Sequence, residues 1–187
     1  MRAILNLKHW QLFIILSLPA FITYIHPIVD KIIPILSFSC FFFWVYSIAT
    51  VLSKNLLKDE KPKTNYYKFS FLLIILFYSS IAFTTDYGLQ INTGNYTEYG
   101  IWLWPLIILI LLVIWSIMYI FYFTAKIISL SNIKITGTND SITINYFFAF
   151  LFNAFGVWII QPKLQELLSA NEVAIDERVT QEQDRNI

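Results

Sequence analysis

The chain has 187 residues, 57% of them hydrophobic, 18% aromatic and only 13% charged, with a mean hydropathy of +0.62. Soluble domains carry about 25% charged and about 45–50% apolar residues, so a water-soluble globule is excluded. The net charge of +1 gives no basic footprint for nucleic acid, and the lone Cys40 allows no disulfide within the chain.

Five windows, His9–Pro27, Ile32–Ser53, Phe69–Thr85, Ile101–Ala125 and Ile142–Gln161, total 103 residues without one Asp, Glu, Lys or Arg; all 25 charges fall in the other 84. A spanning helix needs about 20 mainly apolar residues, within a range of about 17–25. The pattern predicts an all-α polytopic transmembrane helical bundle: one domain over 1–168 with helices at about 9–27, 32–53, 69–85, 101–125 and 142–161, then a polar tail over 169–187. The longest charged piece is 26 residues, below the about 40 that fold unaided, so a separate soluble domain is not expected.

The first window follows Arg2 and Lys8 and has no small-x-small cleavage pattern, so it is expected to remain as an uncleaved span, kinked at Pro19, with Trp10 anchoring its edge. In the second, Pro34 falls in the first turn and Ser37, Cys40, Trp44 and Ser47 form a weak polar stripe. The loop Lys54–Lys68 holds five lysines, the mark of an inner-leaflet loop. Fifteen of the 25 residues of the fourth window are Leu, Ile, Phe or Val, and Pro105 sits in its first turn. Trp102 and Trp104, with Tyr87, Tyr96 and Tyr99, are expected to form an outer aromatic belt. Ile133–Ile144 alternates like a short hairpin but reads better as a polar loop with Asp140 or Ser141 capping the last helix.

The fifth window is weaker. It has eleven strongly apolar residues and carries Asn145, Asn153 and Gln161. At 20 residues it reads first as a span, with a re-entrant or surface-lying helix as the alternative. Asn145, Ala149, Asn153 and Gly156 share one small and polar face suited to close helix packing or to a partner. Trp158, Gln161 and Pro162 read as an edge anchor and breaker, with Pro162 opening a short helix on which Leu164, Leu167 and Leu168 form one face. Beyond about Ala170 the tail is polar and expected to be disordered.

Orientation follows from the basic residues. With the first residues inside, nine Lys and Arg of the inner loops stand against Lys31 outside, which predicts a cytoplasmic N-terminus. A fully spanning fifth helix would move Lys163, Arg178 and Arg185 outside and weaken that contrast.

No metalloprotease, nucleophile-elbow, phosphate-loop or Cys-x-x-Cys motif occurs. His26, Asp30, Asp86 and Glu98 lie in two loops without ligand spacing, so no metal, no cofactor and no enzymatic activity is expected. The absence of ionisable residues from the windows argues against an ion-coupled carrier.

Three segments carry a resemblance: Leu7-Lys8-His9-Trp10-Gln11, Phe121-Tyr122-Phe123-Thr124-Ala125-Lys126 and Gly156-Val157-Trp158-Ile159-Ile160-Gln161-Pro162-Lys163. In them the chain resembles a group of uncharacterised bacterial multi-pass membrane proteins, whose members often end in Gly-Ile-Trp-Phe-Ile-Gln-Pro-Arg-Ile-Asn. Val157, Ile159 and Lys163 depart mildly from that wording, and Gln165 stands where it has Asn. The resemblance implies the multi-pass architecture and a bacterial membrane location, with no particular activity; the inner membrane is the expected one. The expected role is that of a non-enzymatic membrane protein, in contact with the lipid bilayer and acting by helix packing with a second copy or another membrane protein. A small transporter or channel-like subunit is the alternative.

Overall fold

The computed structural model describes residues 2–21, 27–54, 56, 64–84, 96–137, 143–152 and 154–185. Among them every regular element is helical: α1 (Arg2–Leu5), α2 (His9–Phe21), α3 (Pro27–Ser53), α4 (Thr64–Thr84), α5 (Tyr96–Thr136), α6 (Thr143–Leu151) and α7 (Ala154–Arg185). Two stretches, Ile35–Ser53 and Trp104–Ile135, are long and apolar enough to cross a membrane, with mean hydropathy 2.0 and 2.8. The fold is thus a helical bundle containing at least two segments of membrane-spanning character.

Helices α3 and α4 are antiparallel, because ring contacts pair Phe38 with Tyr78, Phe42 with Phe71 and Tyr46 with Tyr67, one index rising as the other falls. The long α5 lies at the centre of the bundle. From Ile120 to Asn132 only Tyr122 is exposed, and α3, α4, α6 and α7 all pack on it. Phe121 is the crossing point, with ring centroids 6.0 Å from Phe41, 6.3 Å from Phe42 and 5.7 Å from Phe150. The core continues inward through Leu52, Leu56, Ile127, Ile128, Leu164 and Leu167. That buried extension is why α5 outruns its expected end at Ala125. At about 1.5 Å per residue its 41 residues measure about 60 Å, twice the hydrocarbon thickness of about 30 Å.

The expected single helix over Ile142–Gln161 is not formed; the chain breaks after Leu151 and restarts at Ala154. The last turn of α6 closes with Phe152 N–H donating to the Phe148 carbonyl at 3.2 Å, and Phe155 N–H then reaches Phe152 O at 3.1 Å, a tighter step. The chain doubles back at this point. A Cβ on Gly156 would overlap the Ala149 carbonyl oxygen, although positions seven apart on one continuous helix stand about 10 Å from each other. Phe150 and Gln161 likewise converge on the single indole of Trp44. Glycine is required at 156 because the opposing atoms are backbone and cannot rotate away.

Other expectations change too. Pro105 and Pro162 lie inside α5 and α7 rather than in first turns. Helix α7 continues through 169–185, where a disordered tail was expected. After Pro162 this stretch contains no Gly or Pro and is rich in Glu, Gln, Ala and Arg, all compatible with helix. Helix α5 ends at Gly137, whose φ of 68° and N–H bond to Ile133 O at 2.8 Å form a left-handed cap. Asp140 and Ser141, expected as caps, lie outside the described residues, as do His26 and Asp86.

Candidate functional site

The best-built polar arrangement centres on Gln161, whose side chain is fully enclosed. Its Oε1 accepts from Trp44 Nε1 at 2.9 Å, and its Nε2 donates to the carbonyls of Leu5 and Leu7 at 2.7 Å each. Leu5 ends α1 and Leu7 lies in the α1–α2 link, where carbonyls have no helical partner. One amide therefore ties α3 and the α1–α2 link to α7. Gln165, one turn on, adds a donor to Leu7 O at 3.1 Å.

The link is prepared locally. Gln11 Oε1 accepts the Lys8 N–H at 2.9 Å, the reach-back half of a capping box that starts α2 at His9. Above the link, α2 and α7 run antiparallel along a seam of rings: Trp158 lies 4.5 Å from His9 and 5.7 Å from Phe13, and Phe155 lies 6.4 Å from Phe13. Of the sequence segments 7–11, 121–126 and 156–163, two are brought together. The first and third touch directly, and the second packs through Phe121 on Phe150 and through Phe123 on Tyr67 at 4.4 Å.

Of the residues expected on the packing face, Ala149 and Gly156 are buried and meet across the α6–α7 turn. Asn145 is exposed, and Asn153 lies outside the described residues. The face is therefore split by the break and does not run along one helix. Among the expected anchors, Trp10, Trp104 and Trp158 are exposed to 47%, 70% and 46%. Pro162 is also exposed, whereas the Trp102 side chain lies outside the described residues. Gln161, expected at an edge, is instead the enclosed hub.

The polar stripe of α3 is dispersed. Ser37 donates to Leu16 O at 3.0 Å, Cys40 faces a cleft between α3 and α4, Trp44 joins the hub, and the buried Ser47 hydroxyl has no partner among the described residues. Trp44 is the member that sequence reasoning underrated. An indole N–H inside an apolar window must find an acceptor, and that requirement was its only signal.

Chemically, the hub holds helices together. The carboxamide oxygen accepts one bond, both amide hydrogens are donated, and the side chain is enclosed away from any opening. No cluster of three or more metal-ligating side chains occurs among the described residues. The larger openings are apolar. One of about 460 Å³ lies between α3 and α4, one of about 390 Å³ lies among Leu16, Phe38, Tyr78, Phe121 and Leu151, and one of about 280 Å³ lies between α5 and α6. No family model, curated protein or solved structure matches the chain.

Proposed function

We propose that the chain is a multi-pass protein of the bacterial inner membrane, cytoplasmic at its N-terminus, non-enzymatic, and acting by helix packing with itself or a membrane partner. The observation that carries this reading is the outer half of α5. Every residue from Trp104 to Leu112 is exposed and apolar, and they continue round the whole helix. A soluble monomer rarely exposes more than a few hundred Å² of contiguous apolar surface; lipid accepts it without cost. Exposed Phe69, Leu72 and Leu76 on α4 and Phe148, Phe152 and Phe155 about the α6–α7 turn extend the same character.

In this reading α6 and the start of α7 form a re-entrant hairpin that enters from the cytoplasmic side, turns at Phe152 and leaves beside Leu5 and Leu7. At nine residues, α6 is about 14 Å long and too short to cross. The charge distribution supports this arrangement. Lys163, Arg178 and Arg185 then join the inner set, giving twelve basic residues against Lys31 alone outside.

Reporter fusions test the topology: alkaline phosphatase fused after Ile187 is inactive and a fluorescent protein there is bright. An active phosphatase would overturn the re-entrant hairpin. Crosslinking in native membranes followed by mild solubilisation tests the role, with a dimer or a defined membrane partner as the expected product. A second reading, a small transporter, is favoured by the 390 Å³ cavity because its wall is drawn from α2 through α6. Solute flux in proteoliposomes that falls when Phe121 or Tyr78 is altered would select it.

A further inference from the structure

The opening between α5 and α6 differs from the other clefts in what stands at its end. Its wall is formed by Trp115, Met118, Tyr119 and Tyr122 of α5 with Ile144 and Phe147 of α6, and its volume is about 280 Å³. At about 3.6 residues per turn, Trp115, Tyr119, Tyr122 and Lys126 fall within about 60° of one another on α5. Lys126 therefore lies on the same face of α5, one turn beyond Tyr122 at the end of the groove lining. One turn further on, Ser129 is buried and Leu130 half-buried, so the open face closes just beyond Lys126. Helical side chains lean toward the helix N-terminus, which carries the half-buried Lys126 back toward Tyr122. Among the described residues no hydrogen bond or ion pair holds Lys126, and the Glu166 carboxylate of α7 is bound through both oxygens by Lys163 at 2.9 Å.

We propose that this groove binds an anionic phospholipid of the inner leaflet, with an acyl chain against the aromatic wall and the headgroup phosphate on Lys126. The inference rests on the membrane reading above, with the Lys126 end of α5 cytoplasmic. The volume lies just below the about 300–1,000 Å³ of small-molecule pockets, and the wall is almost wholly apolar; a segment of hydrocarbon fits it and a polar metabolite does not. Lys126, one turn beyond Tyr122 and without a hydrogen bond or ion pair among the described residues, supplies the charge complementarity that selects an anionic headgroup over a zwitterionic one.

The test is competition between phosphatidylglycerol and phosphatidylcholine of identical acyl chains, read by native mass spectrometry of the full chain released from detergent. Wild type prefers phosphatidylglycerol by about five-fold, the factor corresponding to about 1 kcal/mol for one lysine. Lys126→Gln abolishes the preference, Lys126→Arg retains it, and Met118→Trp, which fills the groove, weakens both lipids. Lys68→Gln, on the exposed inner end of α4, leaves the preference intact. An unselective wild type, an unchanged preference in Lys126→Gln, or an equal loss in Lys68→Gln would overturn the site. If Lys126→Gln does not fold, Met118→Trp decides: unchanged lipid binding there overturns the groove. Failure of the membrane reading is distinguishable, because the protein would then be released from membranes by alkaline carbonate.

Discussion

Replacing Gln161 by Leu keeps the size of the side chain and removes all of its hydrogen bonds. Two groups are then left without partners inside the fold: the Trp44 indole N–H and the Leu5 carbonyl. Leu7 O is spared because Gln165 still reaches it at 3.1 Å. Each buried orphan costs about 1–3 kcal/mol, so the pair sums to about 2–6 kcal/mol. Within a bilayer the unfolded helices also find partners, and measured interhelical polar contributions average about 0.6 kcal/mol; the lower part of the range, about 2–3 kcal/mol, is therefore expected. Gln165→Ala removes one part-buried bond from an acceptor that keeps another, and should cost less than about 1 kcal/mol. Reversible unfolding in mixed micelles measures both, and a cycle with Trp44→Phe isolates the indole bond, with a coupling of about 0.5–2 kcal/mol. A Gln161→Leu protein within about 0.5 kcal/mol of wild type, or no coupling to Trp44, would refute the hub.

Gly156→Ala places a methyl group on the Ala149 carbonyl and should cost about 3 kcal/mol or more. Ala149→Gly should not rescue it, because the obstruction is backbone; recovery of the thermal midpoint in that double variant would contradict the turn geometry. Trp158→Ala loses ring contacts to His9 and Phe13 but leaves a site already half open, so about 2 kcal/mol is expected in the same assay. Asn145→Leu, on an exposed position, should fall within about 0.5 kcal/mol of wild type; a larger loss would restore Asn145 to a packing face.

Much of the architecture was legible because it depends on quantities a linear chain displays. The placement of charges marks out apolar windows, and in a medium without water a window must be helical to satisfy its own backbone. The starts of α2 and the extent of the α3 window follow that logic to within a few residues. The ends that moved are those set by tertiary burial. Ile127, Ile128, Leu164 and Leu167 lie beyond the windows yet join the core; the spacing of Leu164 and Leu167 marks an apolar face, but nothing local shows that either pair is buried by the rest of the bundle. The tail departs from expectation for a related reason. Its low hydropathy suggests disorder, while the helix propensity of its Glu, Gln and Ala residues favours the helix that forms.

The break between α6 and α7 shows most clearly where local patterning stops. Asn145, Ala149, Asn153 and Gly156 share one face only if the helix is continuous, and the length of an apolar window does not by itself require continuity. A glycine three residues after an asparagine is equally the signature of a reversal: Asn favours turns, and Gly admits a close backbone. What separates the two cases is the far side of the contact. Gln161 can be an enclosed hub only if Leu5 and Leu7 lie beside it, which requires α7 to return to the side where α2 begins. A straight span over Ile142–Gln161 would carry Gln161 to the opposite face from Leu7, leaving its amide, the Trp44 N–H and the Leu5 carbonyl to find other partners. The hydrogen bonds and the basic-residue count therefore argue for the same reversal on independent grounds, one from unsatisfied polar atoms and the other from the side on which lysine and arginine are retained.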